Sequence, residues 1–177
     1  GNCVESTGSD YFNMTQTWVE KYGTSYPSAS GVRLNDGIKA TVANCDISDG
    51  YSAAIMAAAG GDRGAGMTIH ANRLHNVRPQ ADSDGVSDSV CGIYASTFKA
   101  KEQMYFTNNH IFDIASWSGN GGAGFYGDGG TTAWTIRSNL IHDTTYFPLE
   151  RNSNWQGTFA KQTVKPASLA NHKMQRC

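Results

Sequence analysis

The chain has 177 residues and a formal charge of −1, so it fits one domain with a sizeable core and carries no basic footprint for nucleic acid. No stretch approaches the roughly 18 consecutive apolar residues of a membrane span. Glycine is abundant, at 20 residues, while charged residues are only 16 %, a balance that suits many short strands joined by turns better than surface helices.

The chain opens Gly1-Asn2-Cys3 without Met and without a signal peptide, as expected of a processed product, a trimmed chain or a fragment. In chain order, residues 1–30 read as an N-terminal cap. Ser9-Asp10 precede Tyr11, Met14, Trp18 and Tyr22 at helical spacing, and Gly23 follows. That pattern predicts a capped amphipathic helix lying as a lid on the first coil. Asn13-Met14-Thr15 is a glycosylation sequon, relevant only in a eukaryotic secretory pathway.

From Gly31 to Glu150 two short templates alternate. One sets a small, an apolar and an outward residue in order: Gly31-Val32-Arg33, Ala54-Ile55-Met56, Gly92-Ile93-Tyr94, Gly124-Phe125-Tyr126 and, more loosely, Pro148-Leu149-Glu150. The other sets an apolar residue, an Asn three positions on and an apolar residue two further: Ile69-Asn72-Leu74, Phe106-Asn109-Ile111 and Ile136-Asn139-Ile141, with Cys in place of Asn in Val42-Cys45-Ile47. The offset of five is constant, while the circuit from one small-apolar-outward copy to the next varies from 23 to 38 residues. The chain therefore makes the same corner repeatedly with loops of free length between, which is the signature of a solenoid.

Period-two alternation within each template predicts three strands per coil and about four to five coils, stacked parallel at about 4.8 Å. Inward ladders follow: Val32, Ile55, Ile93, Phe125 and Leu149; Val42, Ile69, Phe106 and Ile136; Ile47, Leu74, Ile111 and Ile141. Asn72, Asn109 and Asn139 are expected to stack at one bend, where their amides satisfy turn backbone. Pro148, lacking a strand donor, suits a terminal rung. Residues 151–177 read as an irregular tail, with Trp155, Phe159 and Val164 placed to pack on the last coil or on a neighbouring copy.

These residues resemble a right-handed parallel β-helix of the pectin-lyase-like superfamily, whose coils commonly show an Asn ladder at such a corner. The resemblance covers about Gly31 to Glu150 and implies an all-β, single-stranded coil. The same scaffold carries polysaccharide lyases, glycoside hydrolases, tailspikes and adhesins, so function must come from the site. Polygalacturonase-like signatures (Asp-Asp, Gly-His-Gly, Arg-Ile-Lys) and the Trp-Ile-Asp-His of pectate lyases are absent here.

The outward positions of the first strand give Arg33, Met56, Tyr94, Tyr126 and Glu150, one per rung. Adjacent tyrosines offer aromatic faces and phenols to a sugar ring, or stabilise the sheet with no ligand at all. Tyr94, Tyr126, Glu150 and Trp117 are therefore the substrate-binding candidates for an extended polysaccharide. A loop holding Asp82, Asp84 and Asp88 borders this face; the three are candidate ligands for Ca²⁺ and otherwise plain turn residues, and without Ca²⁺ no cofactor is expected. For catalysis, Asp84 and Asp88 are the carboxyl pair for a hydrolase, and Arg33, with Lys99 and Lys101, the cations for a lyase. The competing reading is a non-catalytic structural or adhesive module of an extracellular fibre, filament or tailspike, assembled from copies of the chain. Either reading places the protein outside the cell or on a cell or virion surface.

Cys91 is expected as a small inward thiol level with Ala53 and Ala123, and Cys45 lies where a Cys3–Cys45 disulfide is open to it. Cys177 is terminal. No Cys-x-x-Cys spacing marks structural zinc. His75 and His142 share a ladder with Phe112 between them, too far apart at two rungs, about 9.6 Å, for one ion. His70 and His110 fall in other ladders, and the histidines read as surface imidazoles.

Overall fold

The computed structural model describes residues 2–26, 28–36, 39–60, 66–79, 90–98, 103–116, 122–128, 131–151, 156–160 and 163–164. Each passage through a corner moves the chain to the next of three sheets, and every third strand returns to the same one. Sheet 1 holds β1 (Val4–Thr7), β4 (Val32–Asn35), β7 (Ile55–Gly60), β10 (Cys91–Phe98), β13 (Ala123–Gly127) and β16 (Leu149–Arg151). Sheet 2 holds β2 (Asn13–Thr15), β5 (Thr41–Ala43), β8 (Thr68–His70), β11 (Met104–Thr107), β14 (Thr132–Arg137) and β17 (Gln156–Ala160). Sheet 3 holds β3 (Trp18–Glu20), β6 (Asp46–Gly50), β9 (Arg73–Val77), β12 (His110–Ile114), β15 (Leu140–Thr144) and β18 (Thr163–Val164). All pairings are parallel, each strand with the strand three before and three after it.

The three inward ladders stand in the register that the templates predict: Val32, Ile55, Ile93 and Phe125 pair in series, as do Val42, Ile69, Phe106 and Ile136, and Ile47, Leu74, Ile111 and Ile141. All twelve of these side chains are 0 % exposed. Each contributes about 1.5–3 kcal/mol by leaving water, and together they are the force that holds the rungs in register.

At the bend between sheets 2 and 3 the Asn column forms as expected, and its bonding is continuous. Asn139 Oδ1 accepts from the amide N (2.8 Å) and Nδ2 (3.0 Å) of Asn109, and Asn109 Oδ1 accepts likewise from Asn72 at 2.9 and 3.0 Å. Asn72 Oδ1 takes the amide of Cys45 at 3.0 Å, ending the column. Each Nδ2 also donates inward to a carbonyl: Asn72 to Val42, Asn109 to Ile69 and Asn139 to Phe106. The residue before each column member, Asn44, Ala71, Asn108 or Ser138, has φ between 53 and 58° in the way a left-handed corner requires. A second left-handed position recurs within sheet 3 at Asp49, Asn76, Asp113 and Asp143, where Asp and Asn tolerate the conformation best.

The N-terminal segment departs from the expected lid. No helix occurs among the described residues, and β1, β2 and β3 make a first rung instead. Met14 and Val19 enter the core at 7 and 5 % exposure, whereas Trp18 is 87 % and Tyr11 77 % exposed, so the four residues at helical spacing do not share a buried face. Tyr22, like Met14, packs inside. Met14-Thr17-Val19 repeats the corner template with Thr in place of Asn, pairing with Val42 and Ile47. The period-two signal thus overrides the helical one, because strand pairing with rung two satisfies backbone that an isolated short helix would leave to its own weak nucleation.

At the far end, β17 pairs Phe159 with Ile136 and β18 pairs Val164 with Ile141, within a stretch expected to be irregular. Their spacing of five again matches the corner. The described residues thus form six rungs in place of four to five, one added at each end.

Two cysteine expectations change. Cys3 and Cys45 are both thiols: Cys3 is exposed with its amide bonded to Ser30 O beside sheet 1, while Cys45 is buried at the bend, its Sγ 3.3 Å from the carbonyl of Ala43. They lie on different sides of the coil. Cys91 is buried as expected, but it joins Ala53 and Ala123 in a small cluster packed against Tyr94 and Tyr126, apart from the main core. Gly92 explains this. A Cβ there would sit 2.7 Å from Ile111 Cγ2, and one at Gly124 2.5 Å from Ile141 Cγ2, so the glycine takes an inward place beside Ile93 or Phe125 and the preceding residue falls outside. Cys177 lies outside the described residues.

Candidate functional site

The outward ladder of sheet 1 assembles in the expected order. Glu5, Arg33, Met56, Tyr94, Tyr126 and Glu150 are successive register partners from β1 to β16. Tyr94 and Tyr126 stack with ring centroids 5.5 Å apart and planes tilted by 36°. The stack corrects one detail of the sequence reading. Rings piled along the coil axis turn a face toward each other, so a molecule lying on the sheet meets mainly their edges and phenolic ends.

Asp128, which follows β13, is part of this face. Its Oδ2 accepts the Tyr94 hydroxyl, and its carbonyl accepts the amide of Thr131 at 3.1 Å, so the turn and the site contact are one device. Burial, and then the hydrogen bond to the Asp128 carboxylate, hold the Tyr94 phenol well above the ordinary tyrosine range. Burial also pushes the Glu150 carboxyl up. Arg33, two rungs before Tyr94, keeps its Nε buried with no hydrogen-bond partner among the described residues. Asp82, Asp84, Asp88, Trp117, Lys99 and Lys101 lie outside the described residues, so the proposed calcium loop, the hydrolase pair and two of the three lyase cations have no geometry here.

Sheet 3 carries a second outward face that sequence reasoning passed over. One ladder runs Trp18, Asp46, Arg73, His110, Leu140; its neighbour runs Glu20, Ser48, His75, Phe112, His142. His75, Phe112 and His142 form the expected series and stack nearly parallel, at 4.8 Å and 3°, then 5.4 Å and 9°. Asp46 ties the lower end together, accepting from His75 Nε2 at 2.9 Å and from Arg73 at 3.2 Å, while the Arg73 guanidinium lies 5.1 Å from the Phe112 ring centre. At the upper end His110 Nε2 meets His142 Nε2 at 2.9 Å. Burial, then the nearby His142, Arg73 and His75, hold the His110 imidazole below its ordinary value. The pair was missed because His110 and His142 belong to different ladders, and diagonal neighbours two positions apart still touch when both carry rings. Two grooves, of about 350 and 220 Å³, open beside Trp18, Asp46 and Arg73 on this face.

Among the described residues no three His, Cys, Asp or Glu side chains are grouped to hold a metal ion, and no helix is long and apolar enough to cross a membrane. No protein-family model, no curated protein and no solved structure matches this chain, so its functional reading rests on the geometry of these two faces.

Proposed function

We propose that the chain is a right-handed parallel β-helix of the pectin-lyase-like type that recognises an extended saccharide chain along the outward face of sheet 1. Three parallel sheets visited in turn support that fold, and the general right-handed preference of crossovers between parallel strands supports the handedness. One observation carries the functional reading: Tyr94 and Tyr126 occupy adjacent rungs with Asp128 and Glu150 beside them. The rung spacing of about 4.8 Å is close to the length of one sugar residue in an extended chain, so successive sugars meet equivalent positions. Ring edges and side faces pack on sugar C–H groups, and carboxylates accept hydroxyl protons. Such ligands suit a secreted or surface protein.

Affinity electrophoresis against a panel of acidic and neutral polysaccharides tests the reading. Retardation by at least one polymer is expected, weakened about tenfold in Tyr126→Ala and Tyr94→Ala, the loss of an aromatic packing contact of roughly 1–1.5 kcal/mol. Trp18→Ala, on sheet 3, should leave it unchanged. Melting temperatures of the variants guard against misfolding, and unsaturated products and reducing ends assayed in parallel report any cleavage. Absence of retardation across the panel, or equal retardation of the tyrosine variants and the parent, would move the assignment to a structural or adhesive module.

A further inference from the structure

The imidazole pair on sheet 3 has a geometry beyond that of ordinary surface histidines. His142 Nδ1 lies 2.7 Å from Asp143 Oδ2. A carboxylate only accepts, so that nitrogen carries a proton and, in the neutral ring, Nε2 presents its lone pair. His110 then donates its Nε2 hydrogen to that lone pair across the 2.9 Å contact. Phe112 packs on both rings, stacked on His142 at 5.4 Å and against His110 at 4.5 Å between centroids. The result is two imidazole nitrogens held together, one of them oriented by an outer carboxylate.

We propose that His110 and His142 bind a divalent transition ion of the imidazole-seeking class, zinc(II) or copper(II), through their two Nε2 atoms, with water in the remaining positions. Two nitrogens bound at about 2.0–2.1 Å in tetrahedral geometry stand about 3.3 Å apart. The present 2.9 Å contact reaches that separation when both rings turn from pointing at each other to pointing at one ion, with the 5.1 Å between ring centroids almost unchanged. The proton on His110 Nε2 passes through solvent to its Nδ1, so both rings bind as neutral imidazoles with no net proton change. Asp143 orients His142 and offsets part of the ion's charge, the arrangement that outer carboxylates give metal-binding histidines. Arg73, the register partner of His110, opposes a cation, and its 3.2 Å ion pair with Asp46 offsets part of that repulsion. With only two protein ligands the affinity is modest, and the open positions are available to oxygen atoms of a ligand in the groove beside His110. The site stands on sheet 3 and is independent of any saccharide on sheet 1.

Calorimetric titration of the full chain with zinc chloride, and separately with copper(II) chloride, near neutral pH is expected to show micromolar binding. His110→Ala and His142→Ala should each weaken it by about a hundredfold and Asp143→Asn by about tenfold, while His75→Ala and His70→Ala leave it in place. Imidazole ¹⁵N spectra of the parent chain give a second readout: the Nε2 signals of His110 and His142 move together on adding zinc. No binding up to millimolar ion, equal affinity in the parent and both His→Ala variants, or Nε2 signals that stay put would each overturn the site.

Discussion

The Asn bend and the two outward faces arise from one operation, the stacking of equivalent residues rung on rung, yet they put it to opposite uses. At the bend, Asn72, Asn109 and Asn139 are 1–2 % exposed, and each amide bonds both along the axis and inward. Water cannot replace any of those bonds, so the column is structural. On the faces, Tyr94, Tyr126, His110 and His142 are only partly covered, so part of each ring stays within reach of solvent. Burial decides which repeat makes the fold and which leaves chemistry open to a ligand.

Breaking the bend should therefore cost most. Asn109→Ala removes the acceptor for two Asn72 donors and the donor to Ile69 O, and at about 1–3 kcal/mol for each orphaned buried group the loss should reach at least about 3 kcal/mol, read from the urea midpoint. Next comes Gly124→Ala, whose new Cβ would lie 2.5 Å from Ile141 Cγ2 and 2.7 Å from the Pro148 carbonyl oxygen. An overpacked corner of that kind should cost about 2 kcal/mol by the same measurement.

Alkaline titration sharpens the contrast between inside and outside. The fold holds Tyr22, fully buried, and Tyr94, half-buried, protonated above the ordinary phenol value near 10, by burial in both and by Asp128 at Tyr94. Their contribution is intact below about pH 10 and is lost as the pH rises through the folded values, so stability should fall there. Phenolate absorbance should show both tyrosines unionised until the chain unfolds; Tyr94→Phe should remove the second late-titrating phenol and leave the first. The smallest effect is a gain. Ala71 holds φ at 53°, and Ala71→Gly should stabilise by about 0.5 kcal/mol, relief of left-handed strain partly offset by a freer unfolded chain, seen as a small rise in melting temperature.

The spacing of five across Ile69-Asn72-Leu74 and its copies was enough to predict the corners, the inward ladders and the adjacency of Tyr94 and Tyr126, because a strand's period of two and a parallel stack leave little freedom in register. The same spacing stands in Met14-Thr17-Val19 and Phe159-Gln162-Val164, but without Asn at the middle position it was hidden behind a helical pattern at one end and an apparently irregular tail at the other. The column of Asp49, Asn76, Asp113 and Asp143 also carried a legible signal for a second left-handed bend. Cys91 was misplaced because alternation alone does not reveal that Gly92 and Ile93 both take inward places.

By itself the sequence determined which residues repeat, which face inward and which rung each occupies, since hydrophobic burial and strand pleat act over a few residues. Only the tertiary structure decided what touches across ladders: His110 with His142, Tyr94 with Asp128, Cys91 with the tyrosines. Those contacts depend on side-chain reach and corner geometry between rungs some 30 residues apart, distances that no local pattern encodes.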